Sequence, residues 1–216
     1  MVSETFLVGD VPPAARRSAG EVRTNQRQRL LRAMVEVTAR LGYRHVTVAD
    51  VTAQAGVSRK TFYEHFENRD ACLLACLQAA AGLVTEHLSA ATAQEEHPAR
   101  ALAALVDSYF SLVRDQPALA RTVLVESFAL GPAVARVRRE AQDSAAATVR
   151  LIHRSAREQG LTTTDLNPFD ARVLVAAASS LAMLRAADSE VDDLDEMQAG
   201  LRDYAFRLLG LAPPES

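Results

Sequence analysis

The stretch from Thr47 to Phe66, TVADVTAQAGVSRKTFYEHF, gathers the side chains in this 216-residue sequence best suited to hold a charged partner. Arg59 and Lys60 are cations, Thr61 and Tyr63 carry hydroxyls, and His65 adds an imidazole. Ser58 stands just ahead of them, where its hydroxyl can satisfy the exposed N–H groups of a helix N-terminus. With Phe62 and Phe66 turned inward, the other five groups project outward around the remaining faces of one short helix. Cations and hydroxyls presented from a helix N-terminus suit phosphate oxygens and the base edges of a DNA major groove. Catalysis has no comparable set. There is no Gly-rich phosphate loop, nucleophile elbow or metal-ligand spacing, so no enzyme, cofactor or metal site is expected.

Positioning these groups takes more than the helix that carries them. Thr47 can cap a short preceding helix with Val48, Val51 and Ala55 inward. Gly56 then permits the positive φ of a sharp turn, and Val57 plugs the angle between the two helices. Neither short helix can bury a face alone, so both must dock on longer neighbours. Upstream, Leu30, Ala33, Met34, Val37 and Leu41 recur at helical spacing between Thr24 and Leu41, stopped by Gly42. Downstream, Asn68 caps a long helix in which Leu73, Leu77, Ala80, Val84 and Leu88 keep that spacing to about Thr92. Residues 1–23 contain Pro12-Pro13 and no apolar periodicity, and read as a flexible arm.

The remainder is helical too. Pro98 and Pro117 each fit a first-turn position, opening segments that end near Asp115 and before Gly131. Pro132 to Gly160 reads as one long helix with Val134, Val137, Ala141, Ala145, Val149, Ile152 and Ala156 along a face. Thr162–Thr164 up to Pro168 is a loop. The segment 169–188 is apolar nearly all round its middle and is expected to be buried on several sides. In 193–209, Leu194, Met197, Leu201, Tyr204 and Leu208 alternate 3 and 4 spacings, the pattern of a helix–helix seam. The expected fold is all-α, with about nine helices.

Composition narrows the partners. The formal net charge is −3, with 49% hydrophobic residues, which excludes a uniformly cationic nucleic-acid binder and a disordered chain. The charge is uneven: residues 11–70 carry a net +5, against −6 over residues 71–216. A basic N-terminal quarter on an acidic body is the asymmetry expected when one end meets a polyanion. The charge-free stretches 71–85 and 173–184 fall short of the roughly 18–20 apolar residues of a membrane span. Two cysteines and no export-type N-terminus point to a reducing cytoplasm.

The stretch resembles the DNA-binding domain of the TetR family of transcriptional regulators. The likeness rests on Leu41-Gly42-Tyr43, Thr47-Val48, Ala55-Gly56-Val57-Ser58, Thr61-Phe62-Tyr63 and Phe66, and covers about residues 24–84. Two positions depart from the family pattern. Thr52 stands where alanine is usual, and Arg69 replaces a lysine while keeping its charge. The resemblance implies a helix-turn-helix domain over 24–84, with a recognition helix at about 58–65, and an effector-binding and dimerisation domain over 85–216. It implies phosphate contacts from Thr47, Tyr63 and Arg69, base contacts from Arg59, Lys60 and Thr61, and a backbone contact from His65. Ser58 belongs to the same DNA-binding set. Arg23 and Arg27, with Arg16 and Arg17 in the arm, are placed to reach a neighbouring groove.

The resemblance also implies a homodimer through the last two helices, about 169–188 and 193–209, on a palindromic double-stranded DNA operator. A small-molecule effector would release it as a repressor; an activator, or a DNA-binding dimer without an effector, remains open. Candidate effector contacts are the polar or aromatic groups Tyr109, Phe110, Arg121, Glu126, Phe128, His153 and Met183, scattered on helices around the body's centre. The acidic run Asp188, Glu190, Asp192, Asp193, Asp195 and Glu196 complements a helix start and reads as a solvated face. Cys72 and Cys76, one turn apart on one helix, read as small buried hydrophobes.

Overall fold

The computed structural model describes residues 19–188 and 193–214. Among them it contains nine α-helices, two short 3₁₀ turns and no strand. The N-terminal elements are α1 (Ala19–Leu41), a 3₁₀ turn (Tyr43–His45), α2 (Val48–Ala55), α3 (Arg59–His65) and α4 (Arg69–Ala93). The body adds α5 (Pro98–Asp115), α6 (Pro117–Leu124), a second 3₁₀ turn (Glu126–Leu130), α7 (Pro132–Glu158), α8 (Pro168–Ala187) and α9 (Leu194–Leu209).

Local chemistry accounts for most boundaries. Thr47 and Asp50 form a reciprocal capping box at the start of α2, which satisfies two otherwise orphan donors. Ser58 and Asn68 accept from the N–H groups of Thr61 and Ala71 at the starts of α3 and α4. Four proline-opened helices, α5, α6, α7 and α8, begin where their fixed φ fits a first turn. α1 begins at Ala19, five residues before the start expected from apolar spacing. Its first turns are exposed, so hydrophobic periodicity carries no sign of them. Arg16 and Arg17 lie outside the described residues, as do Pro12 and Pro13 and, in the acidic run, Glu190 and Asp192.

Two buried clusters organise the molecule. One joins α1, α2, α3 and the first half of α4 around Leu30, Met34, Val51, Phe62 and Leu73, with Leu119 of α6 added. The other lies in the body around Leu102, Phe110, Val149, Leu174, Phe206 and Leu209. α4 runs from one to the other and packs against α1, α5 and α7. It is long and apolar enough to meet the length and composition test for a membrane span. Its apolarity instead serves two helix layers, in contact with helices of both clusters.

One expectation for the body needs correction. The helix from Pro117 ends at Leu124 and continues only as a 3₁₀ turn. Arg138 Nη2 donates to the Val123 and Leu124 carbonyls, at 2.6 and 3.0 Å, drawing off acceptors that further turns of α6 would use. α8 buries Ala171, Leu174 and Ala182 but leaves Phe169 67%, Val173 37% and Leu184 55% exposed. One stripe of it is exposed within the chain, while Val175, Ala178 and Leu181 pack against the body core. In α9 the buried set is Leu194, Leu201, Ala205, Phe206 and Leu209, while the expected seam member Tyr204 is exposed.

Candidate nucleic-acid interface and ligand cavity

The presentation of α3 begins with the turn before it. Gly56 has φ 62° and ψ 41°, a left-handed conformation that disfavours any side chain. Its carbonyl accepts from Arg29 Nη2 of α1 at 3.0 Å, so the first helix holds the turn. Phe62 is fully buried and Phe66 nearly so, their ring centroids 5.7 Å apart. With that side fixed inward, Arg59, Lys60 and Tyr63 are exposed, Tyr63 at 55%. Lys60 lies 4.0 Å from Glu64 across one helical turn, a solvent-facing pair that leaves the ammonium available.

Other predicted contact residues are more committed. Thr61 Oγ1 lies 2.9 Å from Ser58 Oγ, within the cap. Thr47 is exposed, but its hydroxyl donates to Asp50 Oδ2 at 2.6 Å. That bond and the Thr47 N–H hold the Asp50 carboxyl below its ordinary pKa. His65 is partly buried beside Phe66, with Nε2 lacking a hydrogen-bond partner among the described residues. Burial, then the charges of Arg23 and Arg27, push its pKa down. Arg27 is exposed at the α1 surface with its guanidinium 5.4 Å from the Phe66 ring. Arg23 is exposed one turn earlier.

Arg69 braces the protein itself. Its guanidinium lies 4.7 Å from the Tyr43 ring, and Nη1 donates to the carbonyls of Tyr43 and Val46. Tyr43 is buried and its hydroxyl donates to Asp70. Burial, and then that carboxylate, hold the phenol above its ordinary pKa. Thr52 is buried and donates to the Ala49 carbonyl at 3.1 Å, so its extra hydroxyl is satisfied inside α2.

Besides the packing of α1 on α6, a polar link between the two halves lies at the first 3₁₀ turn. The Tyr43 N–H donates to Glu126 Oε2 at 2.8 Å, linking that turn to the one that follows α6. Arg121 Nη2 lies 3.5 Å from the other Glu126 oxygen, and its Nη1 donates to the Ala187 carbonyl at 3.2 Å. Glu126 and Arg121, expected to touch an effector, thus tie the DNA-binding end to the ends of α6 and α8.

The body holds a partly open cavity of about 160 Å³, an order of magnitude above the roughly 15 Å³ that one trapped water requires. Its wall comes from α4 to α9 and is largely aliphatic, Leu77, Val84 and Leu105 among it, with Tyr109, Arg138, Gln142 and Ser179 as its polar side chains. Of the seven expected effector contacts, only Tyr109 and Phe110 line it. His153 faces the Thr164 carbonyl at 2.9 Å, and Phe128 is 55% exposed with Arg138 stacked 4.2 Å from its ring. Met183 lies off the wall. Spacing alone could not separate residues that face this cavity from those that face a neighbouring loop. Arg138 was missed because it follows the apolar Val137 in a helix that otherwise carries its arginines outward.

Residues 30–76 match the sequence profile described as "Bacterial regulatory proteins, tetR family". Through these residues, which span the second half of α1 to the first turns of α4, the chain resembles the TetR family. The fold agrees over most of its length. The fatty acid degradation regulator FadR from Bacillus halodurans superposes with a TM-score of 0.74 at 17% identity, covering 88% of this chain and 96% of that one. FadR from Bacillus subtilis, solved in complex with stearoyl-CoA, gives 0.70 at 18%, covering 83% and 97%. At such identities the likeness is one of fold. In sequence, an uncharacterized HTH-type transcriptional regulator of Bacillus subtilis (strain 168), YxbF, is 26% identical over 95 residues, 42% of this chain. That match spans a quarter of YxbF. The helix-turn-helix within the matched segment is α2–α3 with the Gly56 turn between them.

Proposed function

We propose that the chain is a homodimeric, cytoplasmic repressor that grips a palindromic operator through residues 24–84 and lets go when a small molecule enters the cavity of residues 85–216. The observation that carries the reading is the outward set Arg59, Lys60 and Tyr63 on a helix whose other side is locked by buried Phe62. In the groove, Arg59, Lys60 and Thr61 would meet base edges, while Ser58, Thr47, Tyr63 and His65 would lie against the phosphates. Arg69 would add charge at the start of α4, and Arg23 and Arg27 would reach an adjacent groove. The exposed Phe169, Val173 and Leu184 on α8, with Tyr204 on α9, support pairing through the last two helices. Two-fold pairing would set two recognition helices one turn of DNA apart, about 34–36 Å. The aliphatic cavity supports small-molecule control, as does the stearoyl-CoA complex of a protein with the same fold.

The test is selection of bound sequences from random duplex DNA, followed by titration of the enriched duplex over a salt series. An enriched palindrome bound by a dimer, with affinity falling steeply with salt, is the expected result. Folded protein with no enriched sequence overturns the DNA-reading role of α3.

A further inference from the structure

Among the described residues that line the cavity, largely aliphatic with Tyr109, Gln142 and Ser179, the one charged side chain is Arg138, next to Val137 and sharing the wall with Val123 and Leu124. Arg138 is partly buried, and among the described residues no carboxylate lies within ion-pair distance of it. Its Nη2 donates to the Val123 and Leu124 carbonyls and to Ser127 Oγ at 3.2 Å. Its Nε is buried with no hydrogen-bond partner among the described residues. A guanidinium keeps its charge in proteins, and a buried donor without an acceptor is costly. The wall therefore pairs one unsatisfied cationic donor with a long aliphatic surface. From Leu77 to Leu88 that surface runs roughly 16 Å along α4 at 1.5 Å per residue.

We propose that the cavity takes an amphipathic carboxylate, its chain lying along α4 and its head meeting the Nε–Nη2 edge of Arg138. The inference rests on the cavity being the effector site. Arginine receives a carboxylate through two parallel N–H···O bonds, and the edge with the free Nε includes Nη2. Nη2 is the nitrogen that caps α6. A bound carboxylate thus competes with the Val123 and Leu124 carbonyls for it and loosens the turn that carries Glu126. Glu126 holds the Tyr43 N–H, so the head group acts at the joint between body and DNA-binding domain.

The experiment is calorimetric titration of the full chain with decanoate, decanol and decylamine below their micellar concentrations, repeated on Arg138→Gln and Arg138→Lys. Amide hydrogen exchange follows the wild type with and without each probe. Decanoate is expected to bind at least about tenfold more tightly than decanol. Arg138→Gln is expected to erase that preference while decanol binding persists, and Arg138→Lys to retain part of it. Decanoate, and not decanol, is expected to speed exchange at residues 124–130 and at Tyr43. If decanol or decylamine binds as well as decanoate, the carboxylate inference is overturned and the cavity remains a ligand site. If none of the three binds, the cavity loses its role as a site for such ligands and the inference falls with it. Unchanged preference in a folded Arg138→Gln also overturns it, and because the probe comparison uses wild-type protein, a variant that fails to fold leaves a decision.

Discussion

The helix-turn-helix and the body bury their side chains in different ways, and the difference decides which can change shape. In the first, short helices are pinned by terminal devices: a capping box at Thr47, a hydroxyl cap at Ser58, a left-handed Gly56 held by Arg29. Its core is closed around the fully buried Phe62, Met34 and Leu73. In the body, long helices surround a cavity of about 160 Å³, and α6 ends early because a side chain from α7 takes its last carbonyls. Short helices locked by caps onto a filled core present a fixed outer face. A cavity bounded by long helices offers a second arrangement that a ligand can select.

That contrast is tested most severely at Phe62. Phe62→Ala is expected to cost about 3–5 kcal/mol by denaturant unfolding, with the cavity left in a closed core. Phe128→Ala, on the exposed ring beside Arg138, should cost less than about 1 kcal/mol, the range of an exposed cation–π contact. A large loss at Phe128 would mean that the body is as tightly determined as the N-terminal core. At the reading surface, Lys60→Ala should weaken binding to a selected operator by about 1–3 kcal/mol without altering thermal unfolding, and Tyr63→Phe should weaken it by less. Retained affinity in both variants would remove α3 from the interface.

The joint between the regions comes next in size. Glu126→Leu leaves the Tyr43 N–H unsatisfied and should cost about 1–3 kcal/mol. Hydrogen exchange should then speed at residues 43–46, with the core around Phe62 still protected. Ser58→Ala should cost about 1 kcal/mol through the lost cap, read as a lower denaturation midpoint.

Acid gives the smallest effect. Burial and the nearby Arg23 and Arg27 lower the His65 pKa in the folded state, so the unfolded chain binds the proton first as pH falls. This contribution to stability is full above the unfolded value of about 6.5 and declines below it. Replacing His65 with glutamine should flatten that part of a stability–pH curve; an unchanged slope would assign it to other groups.

The same contrast explains what could be read from sequence. Caps and turns are local, so Thr47, Gly56, Ser58 and Asn68 announce α2, α3 and the start of α4 directly. Phe62 and Phe66 are one turn apart and fix which face of α3 is inward. The cavity is made by residues from six helices, and no local spacing reports which of them converge. Tyr109 and Phe110 line it, whereas Arg121 and Glu126 belong to the joint and His153 to a loop contact. Arg69 shows the same limit within the first region. Its charge is evident from sequence, but its position over Tyr43 depends on a linker 26 residues earlier.

The bond between Glu126 and Tyr43 has one end that mutation can reach and one that it cannot. The donor is a main-chain N–H, which every amino acid except proline supplies. Drift at position 43 therefore keeps the strut so long as the backbone stays in place, whereas a single change at position 126 removes it. The connection between body and helix-turn-helix can be retuned from the body's side alone, with every side chain on the outer face of α3 inherited intact.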